Sequence, residues 1–307
     1  MKEFKTYQEQ IKILESRGIR FDSVEEENAG ISILKELGYY NLINGYKEMF
    51  LSDPANNSDS YIPGTKLTEI RDLYIFDRKL REIFLKYILQ VEVTLKSHIS
   101  YTFSELYGHE NYLVYNNFDT TLRDAYSKIT KLIAKIQSEI SNKSNDPSIS
   151  HYLVKYGYIP LWVLSNIITL GTLSKFYSLM KQKDRQEVSR QYKVMDNQLK
   201  SIMYYLSNIR NYCAHGNRLY CYKSNQRLVT LPAYSMIYGN SDTCGKNDLF
   251  AAVISLKYLL PDTVFRSFID DIKLAFTGFL PNTAIVTERS LCDRMGFPEN
   301  WDTVLLY

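Results

Sequence analysis

At 307 residues the chain is long enough for one large domain or two ordinary ones. Apolar residues make up 45% and charged residues 23%. That balance is ordinary for a folded, water-soluble protein and excludes both a disordered polyelectrolyte and a membrane-embedded bundle. The net charge of +3 excludes a general polyanion-binding surface, although it leaves room for a local basic patch.

The 4 cysteines, Cys213, Cys221, Cys244 and Cys292, form no CxxC pair. A zinc site is therefore not expected, nor any other metal or cofactor, and the thiols read as those of a reduced, cytoplasmic protein. The longest apolar stretch, Ile159 to Leu170, contains Pro160, Ser165 and Asn166 and is too short to span a bilayer, so no membrane partner is expected. The 26 tyrosines are the unusual feature of the composition. A tyrosine ring suits half-buried cores, interfaces and base stacking alike.

In chain order, Ile11 and Leu14 predict a short helix closed by Arg17-Gly18. Ser23 and Glu26 read as a capping box for a helix carrying Ala29, Ile33, Leu34 and Leu37 and ending at Gly38. Tyr39 to Tyr46 reads as a tight aromatic connector, and Ser52 to Gly64 as a loop. No glycine or proline interrupts Lys66 to Leu106, where apolar residues keep a helical period, so one long core helix is expected there, with room for one break. Its outer face is expected to carry the pairs Asp77–Arg81 and Glu92–Lys96.

Thr121 is expected to open the next helix, through Ile140, followed by a polar loop over Asn142 to Ser148. Helices are then expected over Tyr152 to Tyr156, Pro160 to Leu170, Leu173 to Met180 and Leu199 to His215. Tyr220-Cys221-Tyr222 and Leu228 to Leu231 flank Lys223 to Arg227 as a candidate short β-hairpin. Two further helices follow, Leu249 to Leu260 and Val264 to Phe276, and Gly296 to Trp301 reads as an aromatic plug on the bundle. The fold expected is mainly α. It divides into an N-terminal helical extension (1–64), a helical core (65–222) and a small C-terminal helical subdomain (223–307).

The densest chemistry lies in Ser207 to Leu219, which holds Arg210, Asn211, His215, Asn217 and Arg218. Cutting RNA without a metal requires a base for the 2′-hydroxyl proton, an acid for the leaving 5′-oxygen and a cation for the phosphorane. Histidine performs either proton task near neutral pH, and arginine offers a fork for phosphate oxygens. The bare Arg-x4-His spacing is weak, since chance supplies such a match in roughly half of chains of this size.

Helical projection puts Leu199, Ile202, Met203, Leu206, Ile209 and Cys213 in one apolar stripe and Asn211, His215 and Arg218 together away from it. Arg210 falls within the apolar stripe, about 140° round from His215. A straight helix does not aim both at one phosphate, whereas distortion at Gly216-Asn217 or a second copy of the segment across a two-fold axis would.

Arg210-Asn211-x-x-Ala214-His215 with Arg218-Leu219 resembles the signature of the HEPN ribonuclease superfamily. More narrowly, the chain resembles the Abi family of bacterial phage abortive-infection proteins, the AbiD/AbiF group. The likeness includes Leu37-Gly38-Tyr39-Tyr40-x-Leu42-x-x-Gly45-Tyr46, Tyr74-x-Phe76-Asp77-Arg78-x-Leu80-Arg81, Ile159-Pro160-Leu161-Trp162, Leu170 to Ser174 and Met295-Gly296-Phe297-Pro298-x-Asn300-Trp301.

The resemblance implies a HEPN-type helical bundle acting as a homodimer, and metal-independent RNA cleavage in phage defence, in the manner of a toxin. It also implies control by a partner noncoding RNA, as in a toxin–antitoxin pair. It assigns Arg210 and His215 as the catalytic pair and Asn211 as the orienting residue. Arg218, Arg78, Arg81 and Arg17 are weaker candidates for the RNA path. Two positions depart from the family pattern: Asn166, where relatives often carry glutamate, and Lys96, where they often carry arginine. Two further readings compete with the endoribonuclease. One is an RNA-binding module with little or no catalysis. The other is a regulatory protein whose Arg–His segment is only a dimer contact.

Overall fold

The computed structural model describes residues 3–55, 59–239 and 245–306. Among them the chain forms 14 α-helices and short 3-10 turns, with no β-sheet. The architecture is mainly α, as composition and periodicity predict.

The N-terminal region contains α1 (Tyr7–Ser16), α2 (Val24–Leu37) and α3 (Tyr39–Tyr46). Ser23 Oγ caps α2 by accepting from Glu26 N at 3.3 Å, but the Glu26 carboxylate accepts from Asp22 N at 2.8 Å, so the predicted capping box closes one residue early. The expected aromatic connector is instead helical. Leu42, Ile43 and Tyr46 share a buried face there, and Gly38, at φ 75°, supplies the corner between α2 and α3.

Everything packs on α4 (Leu67–Tyr107), 41 residues without a break and about 60 Å long at 1.5 Å per residue. Lys66 opens it in extended conformation, with its N–H donated to the Glu69 carboxylate at 3.0 Å. Gly108, at φ 83°, ends it by donating its N–H to Ser104 O at 2.8 Å. The expectation that Asp77–Arg81 and Glu92–Lys96 occupy an outer face fails: Asp77, Arg81 and Glu92 are all buried. Helices cover α4 on several sides, so i,i+4 charge pairs that would ordinarily be solvated lie against neighbouring chain.

Next come α5 (Ala125–Asn142), α6 (Pro147–Tyr156), α7 (Leu161–Ile167), α8 (Leu170–Leu179) and α9 (Gln182–Arg190). α5 starts four residues after the expected Thr121, because Thr121 turns back on Asp119 and Asp124 adopts φ 58°. α10 (Asp196–Ala214) lies in the groove between α8 and α4. It runs antiparallel to α4: Arg210 sits near Glu92 and Asn217 near Arg81, while the earlier residue Tyr192 meets His98.

The C-terminal region adds α11 (Pro232–Tyr238), α12 (Leu249–Leu259), α13 (Asp262–Phe279) and α14 (Glu288–Met295). α13 is also antiparallel to α4, through Phe84–Phe268 at 5.1 Å and Phe76–Phe276 at 5.3 Å between ring centroids. Trp301 and Phe297 close this end, Trp301 packing 5.2 Å from Phe276, as the aromatic tail predicts. One continuous hydrophobic core runs from Ile11 to Leu305.

The candidate hairpin does not form among the described residues. Lys223 bridges Asp248, Ser224 N donates to Asn247 O at 2.6 Å, and Leu228 N donates to Lys246 O at 2.7 Å. The expected turn, through Lys223 and Ser224, and the start of the second arm, Leu228, therefore pair with the segment before α12, and the two arms do not pair with each other. Leu228, Leu231, Tyr220 and Tyr222 are buried among helices instead of sharing one sheet face.

Candidate functional site

The site is built at the C-terminal end of α10. Leu199, Ile202, Met203, Leu206 and Ile209 are fully buried in the core, which orients the helix and turns Asn211 and His215 outward. The helix ends one residue before the sequence suggests: Ala214 is its last residue and His215 its C-cap, with φ −92° and ψ 5°. His215 N still donates to Asn211 O at 3.0 Å. Gly216 then takes φ 69°, which reverses the chain and brings Asn217 N to Tyr212 O at 3.0 Å.

What holds the segment after the helix is a buried ionic clamp. Asp77 Oδ1 accepts from Leu219 N at 2.9 Å and Tyr220 N at 2.7 Å. Its Oδ2 accepts from Tyr46 Oη at 2.7 Å and pairs with Arg81. Arg81 also donates to Asn217 O at 3.3 Å. One carboxylate on α4 thus ties α3 and the segment after α10 together, within a few residues of His215.

Burial pushes the Asp77 carboxyl above the usual carboxylate range, while the Arg81 charge and the donated hydrogen bonds oppose it. Burial pushes Tyr46 upward too, with the Asp77 charge adding to the effect. On the other flank, Arg218 donates to the α3 carbonyls Gly45 O at 2.9 Å and Asn44 O at 3.4 Å.

His215 stands on a ridge between two polar clefts and lines both, together with Asn217. One cleft, of about 630 Å³, opens toward α3 and includes Tyr40, Asn41, Asn44, Tyr74 and Arg218. The other, of about 350 Å³, opens along α10 and includes Tyr204, Asn208, Asn211, Tyr212 and Lys223.

Arg210 does not share this ridge. It is half-buried toward α4, with Nε 3.8 Å from Glu92 Oε2, and neither atom makes a hydrogen bond. Glu92 Oε1 is held instead by Lys96 at 2.8 Å. Arg210 and His215 thus face different surroundings, in the sense the helical projection suggests, and Lys96 takes part in the Arg210–Glu92 charge cluster.

Arg210 apart, the other predicted site residues separate into three groups. Asn211, His215 and Arg218 lie together around the ridge, with Arg81 directly behind it as a buried structural cation rather than an exposed one. Arg78 is exposed but lines a different depression, between α4 and α13, 4.0 Å from Glu82. Arg17 is bound to Asp59 at 2.7 Å and Tyr39 Oη at 3.3 Å, where it ties α1 to the loop before α4. Sequence reasoning missed Tyr46 and Asp77 as supports and the tyrosines as cleft walls. The high tyrosine count was the available signal.

Among the described residues, no group of three or more His, Cys, Asp or Glu side chains is arranged to hold a metal ion, and no helix is long and apolar enough to cross a membrane.

The fold and the site define an all-helical protein with an exposed histidine between two polar clefts. The family model described as Abi-like protein matches residues 32–221, which include α3, α4, the clamp and the whole of α10. The chain belongs to the family of Abi-like proteins, and membership points to abortive-infection phage defence. No curated protein and no solved structure matches the chain.

Proposed function

We propose that the protein is a metal-independent endoribonuclease of the HEPN superfamily, of the AbiD/AbiF type, which acts in phage defence by cutting RNA in the cytoplasm. The observation that carries this reading is the placement of His215, exposed between two polar clefts on a segment that a buried carboxylate holds in place. In the reaction, an imidazole takes the proton of the 2′-hydroxyl. The freed oxygen attacks the adjacent phosphorus, and the departing 5′-oxygen is protonated. The products are a 2′,3′-cyclic phosphate and a 5′-hydroxyl, so DNA, which lacks the nucleophile, is not a substrate. Asn211 orients the imidazole, and Arg210 and Arg218 supply positive charge for the phosphorane.

Arg210 points to Glu92 within one chain, so a homodimer that pools the segments of two copies gives the arrangement an arginine and both proton-transfer groups. A noncoding RNA held at the same surface would keep the toxin silent. The test is RNA cleavage in EDTA by wild type and by His215→Ala, with the product ends identified. Cyclic phosphate ends from wild type and none from the variant are expected, and equal cleavage by both would overturn the reading.

A second reading, an RNA-binding HEPN module with little catalysis, is favoured by the contact of Arg210 with Glu92 and by the exposed Asn166 on α7 where glutamate is common. It predicts RNA that copurifies and is never cut.

A further inference from the structure

We infer that the two clefts beside His215 are nucleotide subsites for a single RNA strand, one on each side of the phosphate at His215. This rests on reading His215 as the cleaving group and names the substrate form and the residues that hold it. Three observations point to it. The clefts share His215 and Asn217 in their linings, so a chain running from one to the other passes beside the imidazole.

Each cleft also has an accessible tyrosine wall. Tyr40 is 77% exposed in the first, and Tyr204 and Tyr212 are 42% and 37% exposed in the second. Tyr212 is braced edge-on by Tyr222, with centroids 4.8 Å apart. Finally, amides line both clefts: Asn41 and Asn44 in the first, Asn208, Asn225 and Gln226 in the second. A side-chain amide offers a donor and an acceptor to a base edge, and a tyrosine ring offers a stacking face to any base.

A duplex does not fit this chemistry. Its bases are stacked on one another and only their edges reach the grooves, so neither tyrosine wall would find a free base face. Cations are few here, Arg218 in one cleft and Lys223 in the other, which accords with the net charge of +3. Stacking and amide contacts, rather than phosphate neutralisation, would then carry most of the affinity.

The test uses a fluorescent single-stranded oligoribonucleotide with 2′-O-methyl groups throughout, which no 2′-hydroxyl mechanism can cut. Its binding to the full chain is compared with that of the same sequence as a duplex. Tyr40→Ala and Tyr204→Ala remove exposed rings with no hydrogen bond to the fold, and circular dichroism checks that each variant is folded. Preference for the single strand is expected, with roughly fivefold to a hundredfold weaker binding for each variant, the span of one lost base stack.

Equal affinity for duplex, or unchanged binding in both variants, overturns the subsites even if unmodified RNA is cleaved. Binding as expected with no cleavage of unmodified RNA leaves the subsites standing and removes the catalytic reading instead.

Discussion

Replacing Asp77 with alanine should destabilise the protein more than any change at the exposed chemistry does. The carboxylate is fully buried and accepts four hydrogen bonds, from Leu219 N, Tyr220 N, Tyr46 Oη and Arg81. Removing it strands the Arg81 guanidinium, whose side chain is 8% exposed, with only Tyr46 Oη at 3.4 Å and Asn217 O at 3.3 Å. Breaking a buried ion pair from one side costs about 3–5 kcal/mol. Two backbone amides are orphaned as well, each worth about 1–3 kcal/mol when water cannot reach it.

Relaxation around the vacated space recovers part of that sum, so a net loss of about 4 kcal/mol is expected in urea unfolding. Arg81→Met in the Asp77→Ala background removes the stranded charge, and the double variant should be less destabilised than Asp77→Ala alone. Hydrogen exchange at Leu219 and Tyr220 should accelerate in Asp77→Ala, and RNA cleavage should fall although His215 is intact. A loss below about 1 kcal/mol with unchanged exchange at both amides would refute the clamp as the element that holds the His215 segment.

Other positions yield independent checks. Gly296, at φ 76°, faces Asp248, whose Cβ would lie 2.7 Å from an added methyl carbon; Gly296→Ala should cost about 2–5 kcal/mol by thermal or urea unfolding, from strain and overlap together. Burial pushes the Cys213 and Cys292 thiols up to about 12, so iodoacetamide at pH 8 should leave both unlabelled in the native protein and label them in urea; native labelling at the rate of a free thiol would contradict their burial. Burial holds the His98 imidazole below its usual value of 6.5, with Tyr192 Oη 2.9 Å from Nδ1. The unfolded chain takes up that proton first as pH falls, so the contribution of His98 to stability is complete above pH 6.5 and is lost as pH drops through the folded value. An NMR titration that places His98 at or above 6.5 would contradict it.

Much of the architecture was legible in one dimension. The absence of glycine and proline from Lys66 to Leu106, with a sustained 3.6-residue period, determined α4, and the stripe from Leu199 to Cys213 determined both α10 and the outward face of Asn211 and His215. Helical periodicity is local, so local sequence carries it. The separation of Arg210 from His215 was legible for the same reason, since five residues on a helix fix the angle between them.

What only tertiary structure decided is which charges are buried and which aromatics are exposed. Asp77–Arg81 has the form of a solvated helix pair, and nothing within α4 reveals that Leu219 and Tyr220, more than a hundred residues later, bring their amides to it. Lys223 to Arg227 reads as a hairpin turn and Leu228 as the start of its second arm until residues 246–248 claim the hydrogen bonds of Ser224 and Leu228. The clefts on either side of His215 join α3 to the end of α10, and no spacing within either segment specifies that meeting. A histidine's direction is set by its own helix, but the surface it faces is set by whichever distant elements the core draws alongside.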